Sequence, residues 1–225
     1  MTRRQAGKEQ RRRDLLEAAG RLFGTHGFSA VALDDVGSEV GVTGQAIYRH
    51  FRGKQDMLGQ LLLEVSRNLL EGGKDIHLQE TRPSARLDRL VMFQVEFALN
   101  SPEVIRVQDQ EMPRLADVDR RRIRRMQREY MDIWSAAIAA LHPGGGSDEL
   151  HTRVHAVFGL INSTAHSMKH HHHRVPATEA PAQDAGTPRG PGSAEVLAAM
   201  ARAAIECDVT DIRRAGPRPG DRSLL

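Results

Sequence analysis

The chain carries a single cysteine, Cys207, in 225 residues. That excludes an internal disulfide framework and a cysteine-rich zinc module. No apolar stretch approaches the length of a membrane span, and no apolar run follows the basic N-terminus. Neither a membrane segment nor a signal peptide is therefore expected, and the expected location is cytoplasmic. Sustained alternation of β-branched and polar residues is missing, so sheet-based folds lose their support. There is no glycine-rich phosphate loop, nucleophile motif or recognisable carboxylate pair, so nothing points to an enzyme and no cofactor is expected. Charge is nearly balanced, at +3 despite a sequence pI of about 9.4. The whole-molecule charge argues only weakly for a nucleic-acid partner. Lysine is scarce, limited to Lys8, Lys54, Lys74 and Lys169, so arginine supplies most of the positive charge.

What is present is helical periodicity. Leu15, Leu16, Ala19, Leu22 and Phe23 form a stripe that His26-Gly27 ends. A short helix is predicted from Asp34 to Val40, stopped by Gly41, and a third from a Thr43 cap to about His50. A fourth follows Gly53 and carries Met57, Leu58, Leu61, Leu62 and Val65. Further helices are predicted over Leu87–Leu99, Glu103–Gln110, Asp119–Leu141 and Glu149 to about His170, with an alanine-rich last one from Ser193 to about Ile205. Residues 174–193, with four prolines, read as a loop. The expectation is an all-α protein of about nine helices. It divides into a three-helix unit over 1–56, a larger helical unit over 57–210 and a disordered tail over 211–225.

The informative segment is Val31 to Leu58, VALDDVGSEVGVTGQAIYRHFRGKQDML. A short helix, a turn whose Gly41 can take φ > 0, and a second helix from Thr43 make a helix-turn-helix. Leu33, Val36 and Val40 can pack on Val42, Ile47 and Phe51. That leaves Gly44, Gln45, Tyr48 and Arg49 turned outward, short at the helix start and polar beyond it, as close approach to base edges requires. Six basic residues (Arg3, Arg4, Lys8, Arg11, Arg12, Arg13) crowd the N-terminus against Glu9.

The stretch resembles the DNA-binding domain of the TetR family of repressors. Gly27-Phe28, Val36…Gly41-Val42-Thr43, Ile47-Tyr48-Arg49-His50-Phe51 and Lys54…Leu58 stand where that family's pattern has them. Val31 departs from it, replacing a threonine that caps the second helix and touches a phosphate; Ser29 or Asp34 is left to take over the capping. The resemblance implies that Thr43, Gln45 and Tyr48 face the major groove of double-stranded operator DNA. Gln45 then reads a base edge, since its amide can pair bidentately with adenine. It further implies that Tyr48, His50 and Lys54 meet phosphates and that Arg3, Arg4 and Lys8 reach flanking DNA.

For the remainder the resemblance implies a homodimer sealed by the last two long helices, 149–170 and 194–206. The small residues Ala198, Ala199, Ala201, Ala203 and Ala204 suit a close seam, with an ordinary buried helix as the alternative. It also implies a pocket for a small apolar effector such as an acyl-CoA, lined by Phe93, Phe97, Met126, Tyr130, Trp134, Phe158 and Asn162. Arginines 120, 121, 122, 124, 125 and 128 read as a solvated helix face, with a coenzyme A diphosphate as the alternative. His151, His155, His166 and His170 form two i, i+4 pairs, the spacing at which two imidazoles can share a metal. With no acidic residue or cysteine to complete the set, no metal site is expected, and a metal-responsive regulator is the alternative. A DNA binder without a sensor is the other.

Overall fold

The computed structural model describes residues 3–167 and 192–208. The predicted tail over 211–225, His170 and nearly all of the 174–193 loop lie outside them. The described residues form helices joined by short turns, in the order α1 (Arg3–His26), α2 (Leu33–Glu39), α3 (Gly44–Ile47), α4 (Lys54–Gln79), α5 (Pro83–Asn100), α6 (Pro102–Glu111), α7 (Asp117–Ala139), α8 (Ser147–Asn162), α9 (Thr164–Ser167) and α10 (Ser193–Glu206). A single 3-10 turn, Met112–Arg114, links α6 to α7.

The helix ends follow elementary chemistry. Pro83 and Pro102 open α5 and α6, where a missing N–H costs nothing. Asp117 and Asp119 on α7, and Asp148 and Glu149 on α8, place negative charge at the positive end of the backbone dipole. Gly27, at φ 85°, turns the chain out of α1. That helix starts about three turns earlier than its apolar stripe implied. Its polar opening still supports a helix, with Gln10 donating to Asp14 at 2.8 Å and Arg12 to Glu9 at 3.4 Å. The basic arm is therefore helical from Arg3 onward.

Two cores result. One joins Leu15, Ala19 and Phe23 of α1 to Val36, Ile47 and Phe51, and to Met57, Leu58 and Leu62 of α4. Val107, Leu115 and Ile123 from the larger unit also belong to it. The other collects Leu87, Leu90 and Val95 of α5, Trp134 and Ile138 of α7, Val154 and Ile161 of α8, and Ala201 and Ile205 of α10. The boundary expected between residues 56 and 57 falls within α4. This one continuous helix places its first half in the small core and lends Leu70 and Ile76 to the large one. Each buried Leu, Ile or Phe in these cores contributes about 1.5–3 kcal/mol, so the units are welded rather than tethered.

The helix predicted over 149–170 breaks at Ser163. Ser163 Oγ donates to Leu160 O and Thr164 Oγ1 to Ile161 O, both at 2.8 Å. Such local bonds compete with the backbone ladder. The chain bends into the short α9, which packs against α6. Ala201, assigned from sequence to a dimer seam, instead has 0% exposure and lies inside the protomer's own core.

Candidate functional site

The helix-turn-helix forms as its residues require. Gly41 takes φ 68°, a left-handed conformation that costs glycine nothing. Gly37 permits a close approach: a Cβ there would stand 2.7 Å from Val42 O. Val42 N donates back to Gly37 O at 2.9 Å, closing the turn. Ala32 is the N-cap of α2 and has no side-chain oxygen to offer. Neither Ser29 nor Asp34 takes over; the carboxylate of Asp35 accepts from the Ala32 N–H at 2.7 Å. The Asp34 carboxylate lies against Gly44, where a Cβ would be 1.9 Å from it.

α3 is regular for one turn. Beyond Ile47 a hydrogen-bonded turn follows, with His50 N donating to Ile47 O at 2.8 Å and Phe51 N to Ile47 O at 3.0 Å. Ile47 and Phe51 face the core, while Thr43, Gln45, Tyr48 and Arg49 face solvent, Tyr48 with 63% exposure. An exposed tyrosine beside a glutamine and an arginine offers stacking, amide readout and charge on one tip.

The surroundings sort the remaining expected contacts. Lys8 is exposed, while the side chains of Arg3 and Arg4 lie outside the described residues. His50 is half-buried, and its pKa is lowered from 6.5, first by burial and then by the charges of Lys8 and Arg12. Lys54, expected at a phosphate, is engaged within the protomer. Its ammonium donates to Phe28 O at 2.7 Å, Val31 O at 2.8 Å and Ser29 O at 3.3 Å, and lies 4.6 Å from the Phe28 ring centroid. All three of its protons are used in tying the α1–α2 loop to the head of α4. Arg12 is likewise committed, to Glu64 at 2.6 Å and to Gln60.

The larger unit forms a partly open cavity of about 220 Å³ between α4, α5, α6, α7 and α8. Of the seven residues expected to line it, Phe97, Tyr130, Phe158 and Asn162 do. Trp134 stands behind them, fully buried, with its ring 6.4 Å from Tyr130 and 5.1 Å from Phe158. Phe93 lies on Gly72 and opens on a separate surface groove beside Val65 and Asn68. Met126 fills the junction of the two cores. The sequence reading missed the polar part of the wall: Ser66, Gln94, Gln108, Gln127 and His155. One signal was available, since Gln94 is the polar residue in the apolar stripe of α5. Gly73 makes room for Tyr130, whose ring atoms would come within 2.6 Å of a Cβ at that position.

The histidines do not share one face. His151 and His155 are exposed on α8, whereas His166 lies past the break, its Nε2 3.0 Å from Asp109 Oδ2 on α6. Among the described residues no group of three His, Cys, Asp or Glu side chains is disposed to hold a metal. Arg120 is bound to Asp117. Arg125 and Arg128 line an open surface groove with Glu129, Asp132, His151 and His155, and this groove meets the cavity at His155 and Met131. Among the described residues no helix is long and apolar enough to cross a membrane.

Comparison with known proteins agrees with this geometry. Residues 15–61 match the family described as "Bacterial regulatory proteins, tetR family", and residues 80–166 match "Tetracyclin repressor-like, C-terminal domain". The HTH-type transcriptional repressor KstR2 of Rhodococcus jostii is 24% identical over 161 residues, 71% of this chain and 78% of that protein. The KstR2 of Mycobacterium tuberculosis is 29% identical over 110 residues, 49% of this chain and 55% of that protein. Among solved structures, a TetR-family transcriptional regulator from Bordetella parapertussis superposes with a TM-score of 0.70 at 20% identity, covering 87% of this chain and 93% of that one. The ketosteroid transcriptional regulator KstR2 of M. tuberculosis superposes with a TM-score of 0.66 at 20% identity, covering 87% and 92%. With an N-terminal helix-turn-helix unit and a C-terminal helical unit that both match, the chain belongs to the TetR family of bacterial DNA-binding transcription regulators.

Proposed function

We propose that this protein is a homodimeric repressor that binds a near-palindromic operator through α3 of each protomer and leaves it when an effector occupies the cavity. The observation that carries the reading is the outward set Thr43, Gln45, Tyr48 and Arg49 on a helix fixed by the buried Ile47 and Phe51. Two such helices about 34–36 Å apart enter successive major grooves. An effector that binds better to a protomer shape with another spacing lowers DNA affinity by its differential binding alone.

The dimer reading is supported by two exposed stripes. On α10, Val196, Ala199, Met200 and Ala203 stand at i, i+3, i+4 and i+7, with Val196 and Met200 41% and 51% exposed. On the neighbouring α8, Thr152, Ala156, Gly159 and Ser163 form an exposed row of small residues. Small residues on one helix and apolar ones on the other suit a tight two-fold seam.

The cavity favours a compact, mainly apolar effector, in keeping with the ketosteroid naming of one similar structure. A volume of about 220 Å³ would take the acyl end of a coenzyme A thioester and leave no room for the nucleotide. The nucleotide would lie outside, along the groove of Arg125, Arg128 and His151. The test of the DNA reading is Gln45→Ala. It is expected to relax base preference by ~1–3 kcal/mol at one position per half-site while leaving non-specific binding intact. Unchanged preference at every position would remove Gln45 from the groove.

A further inference from the structure

Two aspartates stand side by side in the first turn of α2, and they do different things. Asp35 caps the helix, its carboxylate accepting from the Ala32 N–H at 2.7 Å. Asp34 is not needed for that. Its backbone carbonyl accepts from Ser38 Oγ at 2.8 Å, but among the described residues its carboxylate accepts no hydrogen bond and pairs with no cation. The exposed Asp34 side chain instead reaches across the turn to Gly44, the first residue of α3, and occupies the space that a Cβ there would need. Gly44 lies between the exposed Thr43 and Gln45. The bare glycine therefore admits a charged acceptor from α2 into the tip that α3 presents to solvent.

We infer that Asp34 is a specificity-determining residue, whose carboxylate accepts from the N4 amino group of one cytosine in each half-site. This rests on the reading of α3 as the helix that enters the major groove. An ionised carboxylate has acceptors only. In that groove guanine offers two acceptors and thymine a carbonyl and a methyl, so both repel it or leave it unpaired. Adenine sets an acceptor beside its amino group, whereas cytosine offers the amino group alone. A phosphate would repel Asp34 outright, so the residue also works against a docking that slides α3 onto the backbone.

The experiment selects binding sites from random duplex DNA with the full-length protein, unaltered and as Asp34→Ala, Asp34→Asn and Gly44→Ala, and measures affinities for the selected and for unrelated DNA. The unaltered protein should enrich cytosine at one position per half-site, a position that Gln45→Ala leaves unchanged. Asp34→Ala should lower that cytosine preference about five- to tenfold, the loss of one charge-assisted hydrogen bond. It should also tighten binding to unrelated DNA, since a negative charge near the phosphates is gone. Asp34→Asn should move the preference toward adenine, which an amide can pair bidentately. Gly44→Ala pushes the flexible carboxylate aside. It should loosen the same position, and have no further effect there once Asp34 is alanine. Thermal melting of each variant checks the fold, and Asp34→Asn keeps the test open if another variant fails. Cytosine preference retained without the carboxylate, or tighter binding to all sequences with no change in base preference, overturns the inference while Gln45 keeps its place in the groove. Indifference of every position to both Asp34 and Gln45 overturns that reading as well.

Discussion

Replacing Lys54 by methionine keeps the side-chain stem and removes the ammonium, which holds three carbonyls of the loop between α1 and α2. The bonds to Phe28 O and Val31 O are short, at 2.7 and 2.8 Å, and part-buried; the one to Ser29 O is exposed and longer, at 3.3 Å. A hydrogen bond from a charged donor contributes ~1.5–3 kcal/mol. Water can replace the Ser29 partner, and the two remaining contributions are not additive because they share one nitrogen. A net loss of ~2–4 kcal/mol follows, which in a chain of this size lowers the melting temperature by ~5–12 °C. The assay is paired: calorimetric melting, and operator affinity against salt measured well below the transition. A lysine on a phosphate predicts the opposite pattern, with stability unchanged and the log–log salt slope reduced by about one. Unchanged melting with a reduced slope would refute the structural role of this side chain.

The dimer seam is tested by two arginine substitutions that separate assembly from folding. Ala156→Arg, on an exposed small residue of α8, should yield folded monomers by light scattering with weak operator binding. Ala201→Arg, at 0% exposure, should unfold the protomer itself. A dimer retained in Ala156→Arg would move the interface elsewhere. His50 supplies a pH dependence. Its pKa in the folded protein is lowered below 6.5, so the unfolded chain binds the proton more readily. Its contribution to stability is full above about 6.5 and is lost as pH falls through the lowered value. Denaturant titrations should therefore show the native protein losing stability relative to His50→Gln on going from about pH 7 to 5, and a constant difference would contradict the assignment.

The sequence made the small unit legible because its signals are local. Gly41 in the turn, the apolar set Val36, Ile47 and Phe51, and the outward Gln45, Tyr48 and Arg49 all follow from spacing within one short segment. Signals that depend on tertiary neighbours were not legible. Lys54 looks like an exposed cation until the α1–α2 loop is seen folded over it. Ala201 and Ala199 are equivalent in composition, yet one turns into the core and the other outward. Its size marks Trp134 as a wall residue, whereas complete burial makes it the support for Tyr130 and Phe158. The break at Ser163 carries neither glycine nor proline, and only the side-chain bonds of Ser163 and Thr164 explain it. The hydrogen bonds of Gln94 with Asn162 and Tyr130 join three helices that are far apart in sequence.

The central claim is that two copies of α3 read one operator in successive major grooves. Footprinting of the protein on the DNA upstream of its own coding region tests this most directly, with the bound sequence then refined by selection from random DNA. The account predicts an inverted repeat whose half-site centres lie about 10–10.5 base pairs, or a multiple, apart, with protection lost in Gln45→Ala at matched positions of both halves. A single unrepeated site, or protection that follows salt alone with no sequence preference, would contradict it.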